Sequence, residues 1–390
     1  IFNKMSFGYI DVTGGQFILN NTIQDSAENS SSIKTDLKIY NLTTDNDNKP
    51  HLNADNIKLK LNSLNLMTKD SMYQLSINEF AVNNNDVVLL HTKFGPTVYN
   101  HTGSGITFTT PSLRIKNWGL EDLVEKRISG TLAELEQPFI SVIAKNKVKK
   151  LPDSSITVEG EGMTNFYKAL HNLNELIVVD SFKIINGTVV YKAPQKGSTI
   201  EMKKMNAVIL LNNLLKSDSL IDIKRSMPDL RFGQVTARTP KVQLQLGNYS
   251  FDGSRRHNYA RDFHLQLSNK TVLSGSELYW EILDWDLLAN KNIIQIEYLQ
   301  IGKLIVNSSH TKQPVKTKVA KDLPVINVGR IDIGRLSVDK KGSRNNSFSL
   351  QGPDICTDNI HSKKQFLTWS NLQGKFNGIG LESNSLTARL

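Results

Sequence analysis

Cysteine is nearly missing from this sequence. Cys356 is the only one in 390 residues, so no disulfide can close within the chain. A cysteine-poor composition suits a cell-envelope and a cytosolic protein alike. Long apolar runs are missing too: none approaches the roughly 18 to 20 residues that cross a bilayer as a helix, and Ile1 to Ser6 is no signal peptide. Aromatic residues make up 7% and all apolar residues 39%, so a core must be assembled from thinly spread side chains. The eight histidines are scattered without a His-x-His or His-Glu-x-x-His spacing, which argues against a zinc site. No Gly-x-Ser-x-Gly elbow or phosphate loop occurs. Gly329 to Gly334 has two glycines without a strand-to-helix context and reads as a β turn. The acidic pairs Glu121/Asp122 and Glu159/Glu161 have no partner groups in view and read as solvated loop. His264 is expected on the polar side of a strand, and Cys356 as a small packing residue rather than a nucleophile. No cofactor, metal or enzymatic activity is expected.

What the chain has is asparagine, serine and positive charge. Short polar residues cluster in runs such as Ser30-Ser31-Ser32 and Asn83-Asn84-Asn85 and favour turns over helix interiors. The formal charge is +10, which raises nucleic acid and anionic lipid as partners. The basic residues do not interleave with aromatics as a base-stacking platform requires, so nucleic acid is not expected. Two lysine-rich connectors stand out: Lys145, Lys147, Lys149 and Lys150, then Lys312, Lys316, Lys318 and Lys321. They read as contacts for anionic headgroups, at about 1 kcal/mol per lysine, or as solubilising linkers that guard sheet edges.

The chain repeats one phrase three times: Phe7 to Leu19, Val179 to Tyr191 and Val328 to Val338. Each sets an apolar run, a glycine and a second apolar run in a row, and predicts strand, tight turn or bulge, strand. The glycines at 15, 187 and 334 lie 172 and 147 residues apart, which fits a large β module rather than a short solenoid repeat. Between the phrases apolar residues alternate. Ile57, Leu59 and Leu61 oppose Lys58, Lys60 and Asn62; Leu75 and Ile77, Val242, Leu244 and Leu246, Leu265 and Leu267, and Ile294 and Ile296 continue the pattern. Period two means a strand with one dry side. At least fifteen strands follow, in a meandering antiparallel sheet. A short amphipathic helix is expected near 164–174, brief turns at Trp118 and Trp285, and an edge or bulge at Pro138. Trp118 and Trp285 read as core residues where modules meet. The expected modules are 1–147, 148–310 and the start of a third, 311–390, in what reads as a piece of a longer protein. The fold class is all-β with few short helices, an elongated, curled sheet of repeated modules forming a hydrophobic groove.

The segments Leu113 to Leu123, running on to Gln137-Pro138-Phe139-Ile140-Ser141-Val142, and Trp285 to Val306 resemble the AsmA-like envelope proteins of Gram-negative bacteria, including the TamB group. The high Asn and Lys content is similar to Bacteroidota versions. The second segment departs from the pattern in having no proline within Ile301-Gly302-Lys303-Leu304. The resemblance implies a β-groove that carries or bridges phospholipids between inner and outer membranes, in the periplasm, usually anchored in the inner membrane by an N-terminal helix that this sequence does not contain. The expected lining is Ile57, Leu59, Leu61, Leu75, Ile77, Val242, Leu244, Leu246, Leu265, Leu267, Ile294 and Ile296, with phospholipid and possible envelope proteins as partners. The other expectation is a structural scaffold or adhesive β-sandwich repeat protein, whose apolar sides would be closed against a facing layer. A carbohydrate-active β enzyme would need a convergent acid pair, which the sequence does not show.

Overall fold

The computed structural model describes residues 4–20, 30–45, 51–53, 55–68, 70–83, 86–100, 105–118, 128–143, 177–194, 197–211, 226, 228–240, 242–253, 257–267, 271–281, 293–309, 325–341, 347–363, 366–376 and 379–389. Twenty β-strands carry them, so the all-β class holds. The expected helix at 164–174, the turn at Trp285 and both lysine connectors lie outside the described residues. The chain divides into two compact units. One comprises Ile1–Ile143, Thr164–Thr188 and Asn206–Lys216; the other comprises Ala144–Met163, Val189–Met205 and Ser217–Leu390.

In the first unit β1 (Lys4–Asn20), β2 (Ser30–Asp45), β4 (Asn56–Met67), β5 (Tyr73–Asn83), β6 (Asp86–Pro96) and β7 (Gly105–Lys116) meander antiparallel, and the short β3 (His51–Asn53) pairs with the end of β2. β7 then takes both β8 (Ile128–Glu136) and β9 (Phe139–Ile143) along the same side. β10 (Ile177–Ala193) lies parallel to β8. In the second unit the C-terminal sequence follows the same plan. β12 (Asp229–Arg238), β13 (Val242–Asp252), β14 (His257–Leu267), β15 (Val272–Glu281) and β16 (Ile293–Ser309) are antiparallel neighbours in order. β17 (Val325–Lys341) pairs parallel with β16 over its length, and β18 (Ser347–Lys363), β19 (Phe366–Phe376) and β20 (Ile379–Arg389) resume the antiparallel order. β11 (Ser198–Leu210) contributes residues to both units.

Two expectations are corrected here. The sheet pairing is mixed, because β8/β10 and β16/β17 run parallel. Parallel neighbours need a crossover connection, and 144–176 and 310–324 are the chain segments that join them. Of the two readings of the repeated phrases the tight turn fails, since β1, β10 and β17 are each one 17-residue strand, whereas the bulge is present in β1, whose register shifts between Val12 and Gly15. Pro138 sits at an interruption, not an edge, for β7 lies on one side and β10 on the other. The Gln137 N–H donates to the Ile185 carbonyl at 2.8 Å, and the Thr188 N–H donates to the Pro138 carbonyl at 2.7 Å.

The glycines and asparagines of these strands do a different job from turning the chain. In β17, Ile331 and Ile333 share a side with Leu336 and Val338, although their sequence parity differs. Gly334 absorbs the odd residue. The same change of phase occurs in register on every neighbour: at Gly302 in β16, Glu277 in β15, Arg261 in β14, Asn248 in β13 and Gly233 in β12. Asn248 and Glu277 hold φ at 47° and 57°, in the left-handed region, where a non-glycine residue is uncommon and asparagine is favoured. Glycine faces them across the ladder. A Cβ on Gly302 would meet the Glu277 carboxylate and its Cβ, the latter at 2.9 Å. The first unit has its own line: Ser63, Asn78, His91, Pro111, Gln137 and Asn186 are aligned, and φ is positive at Ser63, His91, Gln137 and Asn186. Because each strand shifts at the same place, one-to-one pairing resumes on both sides of the line and the apolar face stays on one side.

The core of the first unit is closed. Leu61, Leu75, Ile77, Phe80, Val87, Leu89, Leu113 and Ile115 are fully buried, and Tyr73 stacks on Phe94 with centroids 5.1 Å apart. Trp118 is buried with them, as the reading of a core residue requires. In the second unit burial concentrates on one side of the phase line, at Phe232, Phe251, Asn258, Ala260 and Ile301.

Candidate functional site

The other side of that line carries the most distinctive surface of the second unit. Ala237, Leu244, Leu265, Leu273, Val306 and Val338 stand directly opposite one another on six successive strands, β12 to β17. All six are half-buried rather than sealed. At about 4.8 Å per strand the row spans roughly 24 Å, more than the ~15 Å that one leaflet of acyl chains occupies. A second row beside it, Val235, Leu246, Phe263, Gly275, Leu304 and Leu336, narrows toward the phase line, where Leu246 and Leu304 are buried. Gly275 leaves this row without a side chain because none fits: a Cβ there would strike the Lys303 carbonyl oxygen and the Phe263 ring.

The sequence-derived lining divides between two environments. Ile57, Leu61, Leu75 and Ile77 lie in the closed core of the first unit, and Leu59 beside them is half-buried. Val242, Leu244, Leu265, Leu267 and Ile296 belong to the second unit and remain partly open, with Leu246 buried at their margin. Ile294 lies on β16, and nothing is described of its side chain. Lys145, Lys147, Lys149, Lys150, Lys312, Lys316, Lys318 and Lys321 all lie outside the described residues. Alternation within single strands located part of the band. Leu273, Val306 and Val338 were missed because register, which joins them to Leu244 and Leu265, is not visible within one strand. The available signal was the break in alternation itself, a polar pair such as Arg261-Asp262 in β14 or a glycine beside one polar residue such as Gly302-Lys303 in β16, which marks where parity changes.

The outward side of the same strands is polar. At the phase line it forms a hollow of about 440 Å3 lined by Lys203, Lys204, Gln234, Asn248, Asp262 and His264 among others. His264 is half-buried there, not fully exposed as expected. Asp262 is engaged by the Arg261 Nε at 2.8 Å, and Lys203 by Glu201 at 3.2 Å. Charged groups also hold the parallel junctions. Glu134 on β8 lies 3.2 Å from both Lys116 on β7 and Lys183 on β10. Burial pushes its carboxyl up, but the hydrogen bonds and charge of the two lysines prevail and hold it below the ordinary glutamate value. At the second junction the Tyr298 hydroxyl donates to the Asp332 carboxylate at 2.9 Å, while Arg330 Nε donates to the same group at 3.0 Å. Burial, then that hydrogen bond, raises the Tyr298 phenol.

Among the described residues no three histidine, cysteine or acidic side chains gather as metal ligands, and no helix is long and apolar enough to cross a membrane. Cys356 is half-buried, with its Sγ 3.9 Å from Gln373 Oε1. Compared with known proteins, the chain matches no family model and no curated protein.

Proposed function

We propose that this chain binds phospholipid acyl chains along the half-open apolar band of its second unit, as a non-enzymatic lipid-handling protein of a Gram-negative envelope. One observation carries the reading: six aliphatic residues aligned in register on six strands, kept on one side by the phase line and left partly uncovered. A monomeric protein rarely leaves a large contiguous apolar patch without a use. An acyl chain laid across the band gains about 0.8 kcal/mol for each CH2 removed from water, so ten sheltered groups contribute about 8 kcal/mol without any catalytic side chain. The lysine-rich connectors would meet anionic headgroups. The resemblance to AsmA-like proteins points the same way, with the periplasm as the compartment and a bridge between the two membranes as the role.

The test uses the whole chain, prepared without detergent, equilibrated with phospholipid vesicles, repurified and extracted for mass spectrometry. Wild type should retain phospholipid. Leu265→Asp should lose most of it, at least fivefold, while keeping its β circular dichroism. Extracts of wild type free of lipid would remove the proposal. The closed core of the first unit favours a second role for that part of the chain, as a structural body in a scaffold, and predicts that acyl-chain crosslinkers label no residue there.

A further inference from the structure

The three phrase strands correspond position by position: Phe7 to Val12, Val179 to Ile184 and Val328 to Ile333. Their downstream neighbours match as well. Gly8 faces Asn41 and Gly329 faces Asn359, with φ at 51° and 50°. The upstream edges do not match. β17 receives β16 there in parallel, and β10 receives β8. Among the described residues β1 has a strand register with β2 alone, along one of its edges.

The residues of β1 carry the marks of a missing neighbour. A Cβ on Gly329 would meet the Glu297 carbonyl oxygen of the parallel strand at 2.5 Å, and one on Gly334 would meet the Gly302 carbonyl at 2.9 Å. Glycine is what lets β16 approach. Gly8 stands where Gly329 does, yet nothing lies within 4 Å of its Cβ position. Phe7 is 45% exposed, whereas its counterparts Val179 and Val328 are 3% and 4% exposed. Asp11 is already engaged within the chain, by the Tyr9 hydroxyl at 2.8 Å and by Lys38 at 3.2 Å, so the open edge offers backbone and apolar contact rather than a charge in need of a partner.

From this we infer that the edge of β1 facing away from β2, where no described strand is registered, is a docking site for an extended strand that runs parallel to it, of the kind that closes a β module in this chain. The partner's chemistry is that of β16: an extended strand with aliphatic residues on one side. A bare backbone faces Gly8. Main-chain hydrogen bonds supply the affinity, and the side chains at Phe7 and Val12 select the sequence and the register. A long edge strand left without a partner is otherwise a template for indiscriminate pairing.

A fluorescent peptide copying Ile293–Ser309 tests this by anisotropy against the whole chain, at a concentration where sedimentation shows the peptide alone to be monomeric. Saturable binding is expected to wild type and not with the reversed sequence. Gly8→Val should weaken binding at least tenfold with an unchanged thermal midpoint, because its side chain meets nothing in the folded chain and only the incoming strand. Phe7→Lys, at an exposed position, should weaken it as well. No binding to wild type overturns the inference, as does equal binding to wild type and Gly8→Val, or equal binding of the reversed peptide.

Discussion

Asn248 and Glu277 hold a backbone conformation that costs most side chains energy, and their replacement should show it. Asn248→Val places a β-branched residue at a positive φ and should destabilise the second unit by about 1–3 kcal/mol in urea unfolding, whereas Asn248→Gly should be close to neutral. The asparagine richness of the chain thus has a folding role: five of the positive-φ positions, Asn41, Asn117, Asn186, Asn248 and Asn359, are asparagines. A reading of turns from those residues identified the right backbone permissiveness and placed it in loops. Local sequence does not distinguish a left-handed residue that reverses the chain from one that only changes strand parity. Glu134 supplies a pH-dependent test. Its folded pKa lies below the ordinary 4.5, so its contribution is present above that value and is lost as the pH falls through the lower folded one. Glu134→Gln should cost about 1 kcal/mol at pH 7 and the difference should shrink as the pH is lowered below 4.5, measured by denaturant unfolding across that range.

At the scale of strands, the two apolar sets respond differently to the same change. Leu75→Ala empties a fully closed position on β5 and should cost about 2–5 kcal/mol. Leu265→Ala on β14 removes a side chain that water already reaches in part, and should cost about 1 kcal/mol or less by the same measurement. Alternation made both strands legible from sequence, since Leu75/Ile77 and Leu265/Leu267 obey period two over the stretches quoted. It did not separate them. Closure depends on what packs over a face, and the same Leu-x-Leu pattern serves both a sealed and an open one. The long phrase strands were legible as β structure but left between tight turn and bulge, because a glycine between two apolar runs looks the same in both; the bulge is what β1 carries. The parallel pairings were out of reach for a related reason: they join residues about 49 positions apart in the first junction, Ile128 to Ile177, across segments whose own pattern is weak.

For the molecule as a whole, the contrast between a sealed and a half-open unit sets an order of local stability. Amides of β5, β6 and β7, behind fully buried Leu75, Leu89 and Leu113, should exchange hydrogen more slowly than those of β13, β14 and β15, whose apolar side is only partly covered. Exchange mass spectrometry at neutral pH measures this directly, and added phospholipid should slow the second set alone. The all-β class was legible in composition and period. Which part of the repeat presents apolar surface required the register of six strands at once.

The phase line also constrains how such a chain can change length. Removing Gly334 alone would take one of the two breaks in alternation out of β17, the other lying at Gly329, yet Gly302 on β16 and Asp354 on β18 would then face the wrong neighbours, and one half of the ladder would slip by a position. Only a gain or loss made on every strand together leaves the sheet intact. Single-residue insertions and deletions are therefore expected here as a row rather than one strand at a time, and a related chain that lacks the extra residue in β14 should lack it in β12 through β17 as well.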